Sequence, residues 1–85
     1  ILLFAPEQEI FDKIKIVSEN VLEKYSYEMV FLDVTRTGRK IWIGVYFKTR
    51  EMSVYIPTLK EATKMLNLAL KKDFENCEAE LIVDA

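Results

Sequence analysis

The chain has 85 residues, enough for one domain near the lower size limit of a self-sufficient hydrophobic core. An apolar fraction of 51% excludes a disordered segment, and two glycines with two prolines leave little loop, so most of the chain must be helix or strand. A formal net charge of −2 argues against a nucleic-acid binder, whose affinity comes largely from neutralised phosphates.

Cys77 is the one cysteine, so no internal disulfide forms, and a reducing compartment is the simpler reading. No stretch approaches the ~20 apolar residues of a membrane span. Ile1 to Ala5 is apolar but far too short to span and lacks the basic flank of a signal peptide; it reads as the cut end of something longer.

Pro6 with Glu7, Gln8 and Glu9 predicts a helix start, because proline's missing N–H is not needed in the first turn and carboxylates suit the positive end of the dipole. Ile10, Ile14, Val17, Val21 and Tyr25 then recur at helical spacing, widened by Phe11 and Leu22, and predict a helix from Pro6 to Lys24. Glu28 to Thr35 is short, β-branched and aromatic, and predicts a strand. A tight turn at Thr37-Gly38 leads into a second strand ending near Lys48, which makes the two antiparallel neighbours. Arg36, Arg39 and Lys40 crowd this turn and read as a solvated tip rather than an anion site.

Across the second strand, Ile41, Ile43, Val45 and Phe47 alternate with Trp42, Gly44 and Tyr46, so one row covers a core and the other faces away. Ser53 to Ile56 extends a strand or forms a short edge piece, stopped by Pro57. Thr58 and Glu61 have the spacing of a capping box, opening a second helix that buries Leu59, Ala62, Leu66, Ala69 and Leu70 with Met65 on its flank. Phe74 is expected to tuck onto the core, and Asn76 to end the helix region in the left-handed conformation. Glu78 to Asp84 alternates as a third strand. A strand–helix–strand crossover places strands two and three parallel. The expected architecture is α+β: an αββαβ open-faced sandwich, close to ferredoxin-like, with both helices on one face of a mixed three-stranded sheet.

No catalytic arrangement is present: there is no histidine, no phosphate loop, and no nucleophile with a base beside it, so an enzyme is not expected. Cys77 stands alone as a soft ligand, and Glu78, Glu80 and Asp84 read as a solvated edge rather than a hard-cation site. Trp42 and Tyr46 on the open face are the interface candidates. A subunit contact is the preferred reading, cover by the chain's own termini comes second, and base stacking comes third for want of an RNP pattern and positive charge.

Three stretches in order resemble one family. LLFAPEQEIFDKI is similar to the junction where a last membrane helix gives way to an "APxE" helix start. VTRTGRKIWIGVYFK is similar to a "VRRxGxxxxVxxHIxV" hairpin with Gly38 at its turn. TLKEATKMLNLALKKDFENCEAELIVDA is similar to a "SLEEAHxIxxxxExxLxxxFPxxxxxIHVEP" ending. Together they resemble the cytoplasmic C-terminal domain of the cation diffusion facilitator transporters across nearly the whole chain, with a few extra residues around Arg50 to Ile56.

The resemblance implies a metallochaperone-like fold and a cytoplasmic domain over residues 6–85, joined by the end of a linker at 1–5 to a membrane domain of the same chain. It further implies a homodimer that regulates export of zinc or a related divalent cation, with neither nucleic acid nor a small-molecule substrate as partner. Histidines that hold cytoplasmic zinc in many members fall here at Val30, Tyr46, Thr63 and Ile82. None is a usual zinc ligand, so the resemblance implies a domain without that metal site or any cofactor of its own; the transported cation belongs to the full-length protein. The competing expectation is a free-standing ferredoxin-like interaction module unrelated to transport, because fold does not fix function.

Overall fold

A computed structural model describes residues 4–84, with side chains from Gln8 onward. The elements run α1 (Phe4–Glu23), β1 (Tyr27–Thr37), β2 (Lys40–Thr49), α2 (Ile56–Lys71) and β3 (Cys77–Val83). The sheet order is β1-β2-β3, with β1 and β2 antiparallel and β2 and β3 parallel. Both helices pack on the face of β2 that carries Ile41, Ile43, Val45 and Phe47, and all four are buried. The expected α+β, ferredoxin-like sandwich is the observed one.

The expected helix faces are also observed. Ile14, Val21 and Leu22 of α1 meet Ala62, Leu66 and Leu70 of α2 in one core, with Ile10, Phe11, Val17, Leu59, Ala69 and Phe74 half-buried around it. Fully burying side chains of this size contributes about 1.5–3 kcal/mol each. Asn67 adds a polar clamp: its amide nitrogen donates to Ala79 O at 2.9 Å, and Ala79 N donates to its amide oxygen at 2.9 Å. At Ala79 the side chain thus satisfies the free edge of β3 as a neighbouring strand would.

Several local expectations are corrected. Helix α1 already includes Phe4 and Ala5, so Pro6 sits inside the first turn rather than opening it. Residues 1–3 of the expected linker lie outside the described residues. The hairpin turn is Gly38-Arg39, one residue later than expected, with Thr37 and Lys40 as the closing pair. Gly38 has φ 59° while Arg39 is not in the positive region, the pattern of a type II′ turn with glycine at its first central position.

Ser53 to Tyr55 is not strand, and the capping box does not form. Helix α2 starts two residues before Thr58, with Tyr55 at its N-cap, Pro57 in its first turn and no side-chain cap. Proline joins the helix here because its missing N–H would find no helical partner in that turn anyway. Thr58 and Glu61 are thereby drawn inside, and Glu61 instead accepts from the Tyr25 hydroxyl at 3.3 Å. Asn76 is not left-handed. The left-handed residue is Ser26, φ 61°, which reverses the chain between α1 and β1 while its carbonyl accepts from Arg50 N at 2.9 Å.

Strand β1 holds a feature the sequence reading missed. Met29 pairs with Phe47, but Phe31 pairs with Tyr46, so Val30 is an extra residue in a β-bulge. The apolar positions accordingly change parity, from Tyr27 and Met29 on one side of the bulge to Leu32 and Val34 on the other. Without the insertion, half of the strand would present its buried residues to the wrong face.

Two buried hydroxyls, those of Ser18 and Tyr27, make no hydrogen bond. The Tyr27 ring packs on Phe47 at a centroid distance of 4.3 Å, and burial raises its phenol pKa above the usual 10.0. Because the folded pKa lies above the unfolded one, the protonated ring's stabilisation is complete below pH ~10 and is lost as pH rises through the folded value. Tyr27→Phe removes the orphaned hydroxyl and keeps the ring. Urea unfolding of this variant should show stability unchanged or raised by about 1 kcal/mol at pH 7. Its loss of stability above pH ~10 should be smaller than that of the parent.

Candidate functional site

The face of the sheet away from the helices is built from three rows set by strand register. Thr35, Trp42 and Glu78 form the first; Asp33, Gly44 and Glu80 the second; Phe31, Tyr46 and Ile82 the third. Glycine at the centre leaves a shallow hollow of about 210 Å³, bordered by Trp42, Tyr46, Asp33, Glu80 and Ile82. A Cβ on Gly44 would meet the Ile82 Cδ1 at 3.5 Å and the Tyr46 ring at 3.8 Å, so a larger residue would fill that floor.

Trp42 lies where expected, on the open face and 42% exposed. Its indole N–H donates to Thr37 Oγ1 at 2.7 Å, and the Lys40 ammonium sits 4.2 Å above the ring. Lys40 also pairs with Glu78 Oε1 at 3.0 Å. Lys40 is therefore more than part of a solvated tip: it bridges the tryptophan and a carboxylate of the neighbouring strand. Thr37 and Lys40 of the hairpin itself thus cover part of the Trp42 ring.

Tyr46 is half-buried, its ring 5.6 Å from that of Phe31. The bulge turns both Val30 and Phe31 outward, 46% and 58% exposed. These two apolar residues are the open-face members that sequence reading did not single out. The parity change along β1 is the signal that would have found them.

Of the four positions where the resembled family keeps histidines, Tyr46 and Ile82 are direct partners across β2 and β3, and Val30 stands at the bulge beside Phe31. Thr63 is on α2, across the sheet from them, with its hydroxyl donating to Leu59 O at 2.9 Å. Among the described residues, no three His, Cys, Asp or Glu side chains come together in a way that would hold a metal ion. Glu78 and Glu80 point to the open face, whereas Cys77, between Asn76 and Glu78, is buried on the helix side. Desolvation raises the Cys77 thiol pKa against a smaller lowering by Lys71, which leaves it protonated and unreactive at neutral pH. No described helix is long and apolar enough to cross a membrane.

No protein-family model and no curated protein matches the chain. Solved structures do. Two variants of the MamM C-terminal domain superpose with a TM-score of 0.68 at 12% identity, over 93% of this chain and 96% or 92% of theirs. The nickel form of a MamM C-terminal domain variant gives 0.58 at 10% identity, over 87% of this chain and 96% of its own. The chain has the fold of the MamM C-terminal domains, which belong to the cation diffusion facilitator family.

Proposed function

We propose that this chain is the cytoplasmic C-terminal domain of a cation diffusion facilitator-type transporter, regulating export of a divalent cation such as zinc through a membrane domain of the same protein. The observation that carries the reading is the superposition on a MamM C-terminal domain over 93% of this chain and 96% of that one. The ordered resemblance of three sequence stretches to the same family supports it independently. The role is regulatory rather than enzymatic, and the one thiol, Cys77, is buried on the helix side.

The open face supports pairing of two copies. Phe31, Tyr46 and Ile82, with Val30 at the bulge, make an apolar and aromatic row, and Trp42 stands beyond the intervening row of Asp33, Gly44 and Glu80. Surfaces of this kind are used as interfaces, with aromatics as anchors. Tyr46 and Ile82 stand in the resembled family's ligand positions, so apolar packing takes the place of metal bridging and the pair of domains holds together without zinc.

Each part has its own test. The reading frame upstream should encode several apolar spans of about 20 residues; its absence would leave a free-standing interaction module and end the transporter reading. Calorimetry with zinc should show no stoichiometric site tighter than about 1 μM, a limit equivalent to about 8 kcal/mol. A one-to-one submicromolar site abolished by Cys77→Ser or Asp84→Asn would overturn the metal-free reading. In sedimentation equilibrium, Phe31→Glu should weaken self-association at least about 30-fold, as expected for an interface anchor. Trp42→Ala should do likewise, with some loss of stability because Thr37 and Lys40 lose their partner. A wild-type domain that stays monomeric at about 1 mM, where even a ~4 kcal/mol association would register, falsifies the pairing.

A further inference from the structure

A second apolar surface lies on the other side of the molecule and plays no part in the open face. Along the seam of the antiparallel helices, from the C-terminal end of α1 to that of α2, runs a groove of about 550 Å³, floored by Val21, Met65 and Leu68 and rimmed by Lys24, Lys71 and Lys72. Along α2, Met65 and Leu68 lie beside the buried stripe of Ala62, Leu66 and Leu70, and Lys72 follows at the C-cap in line with them. Met65 and Leu68 remain 41% and 52% exposed. None of the three lysines makes an ion pair among the described residues. The end away from Lys71 and Lys72 is marked by Lys24 and by Tyr25, whose hydroxyl donates to Glu61 Oε2.

We propose that this groove docks an acidic amphipathic helix of a protein partner, its apolar side chains on Met65 and Leu68 and its carboxylates against Lys24, Lys71 and Lys72. A cleft between two helices suits a helix presenting anchors at i, i+3, i+4 and i+7. The charge is uneven along the groove: Lys71 and Lys72 stand together at one end, while Lys24 stands beside Tyr25 and Glu61 at the other. The partner helix is therefore oriented with its C-terminal, negative end of the dipole at Lys71 and Lys72. An anionic bilayer is the less favoured occupant: the chain's net charge is −2, and a concave site reads a short segment rather than a plane. The inference does not depend on the transporter reading.

The test is fluorescence anisotropy with a labelled helical peptide of about 14 residues, carrying leucine at i, i+3, i+4 and i+7 and glutamate elsewhere. A matched peptide with lysine for glutamate and vesicles of phosphatidylserine and phosphatidylcholine complete the set. The glutamate peptide should bind saturably, and more weakly in high salt because exposed charges are screened. Lys71→Glu combined with Lys72→Glu should weaken it about tenfold or more, and Leu68→Glu similarly, with unchanged circular dichroism. Lys60→Glu, outside the groove, should leave it unchanged. Equal binding of both peptides, no saturation, indifference to the groove variants, or capture by vesicles without peptide binding would each overturn the proposal.

Discussion

Strand β2 is hydrogen-bonded on both edges and covered by both helices on one face, and every other element takes its place from that arrangement. Ile41, Ile43, Val45 and Phe47 supply the apolar row that α1 and α2 share. Residues of a strand that alternate in this way must send the intervening row to the opposite side. Burying the first row therefore forces Trp42, Gly44 and Tyr46 onto the open face. The same constraint acts on β1, where one inserted residue keeps Tyr27 and Leu32 on the core side although their spacing in sequence is odd. The functional surface is in this sense a by-product of core packing, with its chemistry chosen by the residues that packing leaves outside.

Those residues divide the molecule into surfaces of different character. The open face combines aromatics and branched aliphatics with carboxylates, and Lys40 there is taken up by Glu78 and the Trp42 ring. The α1–α2 groove has the converse balance, an apolar floor beneath unpaired lysines. A net charge of −2 conceals this separation, because the two sets lie on opposite sides of a thin α/β sandwich. With a Debye length of about 8 Å at physiological salt, each surface presents its local charge rather than the average. Polar groups inside the sandwich are few. Asn67 is fully engaged at the edge of β3, whereas the hydroxyls of Ser18 and Tyr27 are left unsatisfied within a small core.

What could be read without coordinates were the features written in periodicity. The helical stripe from Ile10 to Tyr25, the alternation from Ile41 to Phe47, and the stripe from Leu59 to Leu70 each encode an element and its buried side. Their order implied the parallel crossover and the ferredoxin-like sandwich. The place of Trp42 and Tyr46 on the open face followed from the same alternation. Features that depend on one residue's exact position were less legible. Pro57 is compatible both with ending a strand and with entering a helix, and local chemistry does not choose between them. Asn76 and Ser26 both tolerate the left-handed region, and only the path of the chain selected Ser26.

The sequence by itself determined the elements, their buried faces and the absence of histidine ligands, because periodicity and composition are local properties of the chain. Only the tertiary structure decided the bulge at Val30, the outward turn of Phe31, the capture of Lys40 by Trp42 and Glu78, and the groove rimmed by lysines. Each of these joins residues from different elements. Cross-strand register and helix packing, which bring such residues together, are settled by burial of the whole core rather than by any segment alone.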